Sequence, residues 1–135
     1  MVTGGQGDWA SGRLASVELL DMNGTWICPM PTMPKPRTDH TQTGPVICGG
    51  SGYFGSDARK SCITFFNGGD DWVKTHNLTQ NRQYHSAWAS HQGVMLMGGY
   101  GRNSIESERI FGTTSEILTG DGDTIPGFTL DYRTE

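Results

Sequence analysis

The chain has little that would build a helix, a membrane span or a nucleic-acid surface. No segment keeps a 3.6-residue apolar period over three turns, and "ARKS" is too short to count, so long helices are not expected. No apolar run approaches the ~20 residues that cross a bilayer as a helix. Positive charge is scarce. Ten Lys and Arg against 14 Asp and Glu leave a net −4, which argues against a nucleic-acid footprint and a basic membrane-binding face. The opening "MVTGGQGDWAS" lacks a charged region followed by an apolar one, so no signal peptide is visible. It reads instead as the middle of a folded unit, which makes a cut start the expectation. Cysteine is sparse too: Cys28, Cys48 and Cys62 are an odd set, leaving at least one unpaired within the chain.

What is abundant is glycine. Twenty of 135 residues are glycine, about twice the usual share of ~7%. Many glycines mean many tight turns, which favours short strands over long helices. The hydrophobic fraction of 34% and the length suit one domain with a moderate core. Two sequons, "NGT" at Asn23 and "NLT" at Asn77, tilt the expectation toward an extracellular, oxidising compartment, with a cytoplasmic location as the alternative.

The strongest signal is an internal repeat. "MVTGG", "PVICGG" and "VMLMGG" each end in a glycine pair: Gly4-Gly5, Gly49-Gly50 and Gly98-Gly99. The pairs are spaced 45 and 49 residues apart. "RTDH" and "RQYH" place Arg37 with His40, and Arg82 with His85, 45 residues apart. Trp26 and Trp72 follow the first two pairs at 21 and 22 residues. Between these marks lie short β-type runs, "SVELL", "TWICPM", "SCITFF", "DWVKTH", "TSEIL" and "FTLDY", bounded by turns such as "DMNG", "NGGDD" and "GDGD". The proline-dense "PMPTMPKPR" from Pro29 to Arg37 is expected to be an extended crossover, because proline cannot donate to a sheet ladder.

An apolar strand ending in Gly-Gly, then an aromatic, then a tryptophan six residues on resembles the kelch repeat. Phe66 and Trp72 hold the last spacing, Leu20 replaces the aromatic before Trp26, and Phe128 is expected to replace the third tryptophan. R-x-x-H and the cysteines near the glycine pair look like the secreted, invertebrate-type members. The resemblance implies an all-β fold of about three four-stranded propeller blades: 1–34, lacking its innermost strand, 35–79 and 80–135. Kelch rings usually close with five to seven blades. Three would be a fragment of a larger ring, half of a ring closed by a homodimer, or an open stack capped by a partner. On such blades Cys48 and Cys62 lie on neighbouring antiparallel strands. A disulfide between them is expected, with Cys28 left over and three free thiols as the alternative.

Each chemical signal has a plainer structural reading. "GSGYFG" fits the dinucleotide-loop spacing, and Asp70 and Asp71 lie near the required distance, but no helix can follow the loop. His40 and His85 recur with the repeat, as do Arg37 and Arg82. That points to packing and hydrogen bonding between units, and His76 and His91 show no ligand pairing. "GDGDTIPG", with Asp121 and Asp123, lacks a calcium loop's remaining ligands. No G-x-S-x-G elbow exists. No catalytic, metal or cofactor residue is therefore assigned. The expected function is a non-catalytic protein-interaction or scaffolding module. Trp9, Arg13, Tyr53, Phe54, Arg59, Tyr100 and Arg102 are its candidate loop contacts. The rivals are part of a galactose-oxidase-like propeller enzyme and a carbohydrate-binding propeller.

Overall fold

The computed structural model describes residues 1–8, 12–21, 23, 27–52, 59–65, 71–102, 109–111 and 114–129. Among these the chain forms thirteen strands and no helix. Sheet I runs in the order β1 (Val2–Thr3), β2 (Val17–Leu20), β3 (Ile27–Met30). Sheet II follows as β4 (Thr41–Thr43), β5 (Val46–Cys48), β6 (Ser61–Phe65), β7 (Trp72–Asn77). After β8 (Ser86–Ser90) and β9 (Gly93–Met97) the chain makes a two-stranded ribbon, β10 (Tyr100–Arg102) and β11 (Arg109–Phe111). It then completes sheet III with β12 (Thr114–Leu118) and β13 (Thr124–Thr129). All pairings are antiparallel; sheets I and II are up-and-down meanders, and sheet III is one with the β10–β11 ribbon inserted between its neighbours β9 and β12.

Strand periodicity distributes the core. In β5 the period of two turns Ile47 to one face and Val46 and Cys48 to the other. Ile47 joins Ile63 and Trp72 of sheet II in packing against Val17 of sheet I and Met33 of the crossover. Val46, Cys48 and Cys62, with Leu78 just after β7, pack against Ala87, Val94, Leu96 and Leu118 of sheet III. Sheet II is thus covered on both faces. Each fully buried aliphatic side chain contributes about 1.5–3 kcal/mol.

Three sequence expectations need correction. Pro29 and Met30 belong to β3 rather than to the crossover, with Pro29 opposite Glu18. An edge strand tolerates a residue that cannot donate. The last strand starts at Thr124, before the run "FTLDY", and it carries Pro126 on the outer edge of sheet III. Phe128 does not replace the tryptophan. Trp72 opens β7 opposite Phe65, and the residue in the same register on sheet III is Thr124, opposite Leu118. Trp72 is buried and donates Nε1 to the Pro31 carbonyl at 2.8 Å, while Thr124 donates Oγ1 to the Asn77 carbonyl at 3.0 Å. The tie to the preceding unit is kept with a different donor. Phe128 is exposed.

Cys48 and Cys62 face each other in the register of β5 and β6 and form a disulfide, while Cys28 is an exposed free thiol. Gly49 N donates to Ser61 O just beyond the pair, so the cysteines occupy a non-hydrogen-bonded site, where side chains approach most closely. The bond closes a loop of sequence separation 14. Replacing both cysteines with serine is expected to lower unfolding stability by about 3 kcal/mol, read as a lower urea midpoint. An unchanged midpoint would contradict this.

Candidate functional site

The repeated arginines join one sheet to the next. Arg37 is 3% exposed, and its backbone accepts from Gly5 N at 2.8 Å and donates to Leu14 O at 3.1 Å, both on the sheet I side. Its side chain turns to sheet II: Nη1 donates to Gly49 O at 2.7 Å and to Ser61 O at 2.8 Å, and Nη2 to Ser61 Oγ at 2.7 Å. Arg82 repeats this one unit later. Its backbone carbonyl accepts from Gly50 N at 2.8 Å, and its side chain donates to Gly98 O and Thr114 Oγ1, both at 2.6 Å. Arg82 has a partner that Arg37 lacks. Its Nε donates to Glu116 Oε1 at 2.7 Å, and both side chains are 1% exposed. Glu116 Oε2 also accepts from Thr79 N at 2.6 Å.

The histidines reach back across the same junctions. His40 Nε2 contacts Thr3 Oγ1 at 2.8 Å, and His85 Nε2 contacts Thr41 Oγ1 at 2.7 Å. Burial first, then Arg82 and His40, holds the His85 imidazole down to about 4. Burial first, then Arg37, lowers His40 as well, against Asp39 and Thr3. His76 Nε2 lies 3.0 Å from the Thr119 carbonyl, and His91 is exposed in the β8–β9 turn. The four histidines do not share a site. Among the described residues no group of three or more His, Cys, Asp or Glu could hold a metal ion.

Gly49 shows why the glycines stand at these junctions. At φ 63° it lies in the left-handed region. A Cβ there would sit 2.5 Å from Arg82 O and 2.7 Å from His85 Cε1. Gly4 meets the same two groups one unit earlier, Arg37 O and His40 Cε1. Gly98 has the same conformation, φ 70°, but nothing described lies within 4 Å of its added Cβ.

One cluster, partly buried and exposed at Tyr84, gathers around the R-x-x-H segments. Asp39 and Tyr84, one repeat apart, both have positive φ, 56° and 55°. An aspartate tolerates this, but for a tyrosine it is an outlier of the kind found where surrounding structure fixes a side chain for use. Tyr84 is 62% exposed, its amide donates to Asp39 O at 3.0 Å, and its ring stacks on Tyr100 at 5.4 Å and 22°. Arg13 Nη1 lies 3.7 Å from Asp39 Oδ2.

Arg13 and Tyr100, two of the loop candidates, are therefore brought together. They meet at Tyr84 and Asp39, which sequence reasoning did not select. Arg59 is placed apart, on a cavity beside Arg37. Arg102 is in β10, with its side chain outside the description, and Trp9, Tyr53 and Phe54 lie outside the described residues, as do Trp26 and Phe66. Both sequon asparagines, Asn23 and Asn77, are exposed.

No family model matches the chain, and no curated protein matches it. Functional assignment therefore rests on the residues and their geometry.

Proposed function

We propose that the three sheets are blades of a kelch-type β-propeller. On this reading the protein is a non-catalytic interaction and scaffolding module, with its ring closed by further blades from a second copy. The observation that carries this is the glycine junction. Gly49 is filled by the arginine and histidine of the next sheet, whereas the space at Gly98 is open among the described residues. The adjoining face of sheet III supports it. Its pattern turns Met95 and Met97 away from sheet II, at the positions where Val46 and Cys48 of sheet II meet sheet III. Trp88, opposite Met95, is 39% exposed, a large apolar residue that no sheet among the described residues covers. At the other end Val2 and Leu20 of sheet I are exposed at 49% and 48%. The two ends offer unlike apolar faces, as a head-to-tail ring requires.

The stacked Tyr84–Tyr100 pair, with Arg13 and Asp39, is the proposed contact surface for a protein partner, since rigid aromatics beside arginine suit interface anchors. The histidines engaged with threonines between sheets favour a scaffold over an enzyme. Light scattering tests the assembly. The expected mass is near twice 14.7 kDa, and Trp88→Asp is expected to return it to one chain. A wild-type mass of one chain would sink closure by two copies.

A further inference from the structure

A cavity of about 330 Å³ lies between the crossover and sheet II, lined by Pro34, Lys35, Arg37, Arg59, Ser61, Ile63, Trp72 and Lys74. Four of these are cations, and no described carboxylate lines it. Arg37 is 97% buried by its 3% exposure, yet its Nε is buried with no hydrogen-bond partner, and the same is true of Arg59 Nε. A buried guanidinium N–H without an acceptor is costly and rare.

The repeat shows what is missing. Arg82 is the counterpart of Arg37, and its Nε is met by Glu116. Glu116 is the third residue of β12, and the third residue of β6 is Ile63, which lines the cavity. Glu116 is held from behind by Thr79 N, three residues before Arg82. Three residues before Arg37 stands Pro34, which has no N–H to give. Sheet II therefore lacks both the internal anion and its supporting donor, but has the arginine.

We propose that this cavity binds an oxyanion, the sulfate or phosphate group of a small organic ligand, beside Ile63, supplying the acceptor that Glu116 provides one repeat later. Arg37 Nε and Arg59 Nε donate to the anion, and Lys35 and Lys74 add positive charge at the exposed side. The space exceeds a bare oxyanion, and Ile63, Pro34 and Trp72 give an apolar wall for the organic part. Burial first, then the charge of Arg59, holds Arg37 down to about 10, and a bound anion offsets the repulsion between the two guanidinium groups. The proposal is independent of ring closure.

Isothermal titration with sodium sulfate, sodium phosphate and glucose 6-sulfate, at ionic strength matched with sodium chloride, tests it. Saturable binding of at least one of the three is expected, and chloride alone should give none. Selectivity between sulfate and phosphate identifies the natural group. Arg59→Met is expected to weaken binding about tenfold, the loss of one charge-assisted hydrogen bond. Ile63→Glu restores the internal carboxylate and is expected to abolish binding. Because Ile63 is in the core, the exposed pair Lys35→Gln/Lys74→Gln provides a variant that folds, expected to weaken binding with an unchanged urea midpoint. Absence of saturable binding in the wild type overturns the site, as does binding unaffected by both Arg59→Met and Lys35→Gln/Lys74→Gln.

Discussion

Glu116→Ala is expected to cost about 3–5 kcal/mol, the largest effect of any single substitution in the described chain. The reason is what it leaves behind. Arg82 stays charged and 0% exposed, with Nε facing an empty space, and Thr79 N loses its acceptor. Domains of this size have only about 5–15 kcal/mol to lose. Glu18→Ala, on an exposed position of β2, is the control and should stay within about 0.5 kcal/mol of wild type. Removing both charges with Glu116→Leu and Arg82→Met should recover part of the loss, since no unpaired ion then remains. It should not recover all, because Gly98 O and Thr114 Oγ1 lose their donor. Urea unfolding reads all three. A Glu116→Ala loss no larger than that of Glu18→Ala would refute the importance of the pair.

Acid is expected to weaken the fold through His85 well before the exposed carboxylates matter. The imidazole titrates near 6.5 when unfolded and near 4 in the folded chain. Between these values the unfolded chain holds a proton that the folded chain does not. Stability is therefore complete above about pH 6.5 and falls as the pH drops toward about 4. The loss is about 1.4 kcal/mol per pH unit, roughly 3 kcal/mol over the window. The physical cause is plain in the junction. An imidazolium needs two acceptors, but His85 Nδ1 is buried without a partner, and Arg82 and His40 repel the added charge. His40 acts in the same direction. His85→Gln should flatten the dependence between pH 7 and 4.5. Parallel losses in wild type and variant would assign the acid sensitivity elsewhere.

The periodic arginines and histidines, and Gly4 with Gly49, correspond to groups that make the same contact twice. Gly49, Arg37, Arg82, His40 and His85 could be found because a repeated junction needs repeated residues. The groups that do not repeat were harder to see. Glu116 sits inside "TSEIL", where a carboxylate after Thr and Ser gives no sign of burial, and its partner is 34 residues away, so only the fold joins them. By residue type, Phe128 is the expected stand-in for the third tryptophan. Thr124 instead supplies the hydrogen bond, because what the junction requires is a donor in that register rather than an aromatic. Tyr84 looked like the variable letter of R-x-x-H. Its left-handed backbone is not revealed by one sequence. The β10–β11 ribbon was hidden because three-residue strands carry too little pattern to be distinguished from a loop.

The two junctions are built alike but are not equally strong. Between sheets II and III lie the Arg82–Glu116 pair and the disulfide-bearing face of β5 and β6. Between sheets I and II the arginine has only neutral oxygen acceptors. In a stacked array, stability is close to a sum of unit and nearest-neighbour terms. Sheets II and III are therefore expected to open together and sheet I to open first, read as lower native-state hydrogen-exchange protection of β1 and β2 than of β5, β9 and β12. Occupancy of the cationic cavity, which borders this weaker seam, would stabilise sheet I and so couple a small anion to how much of the chain is folded at any moment.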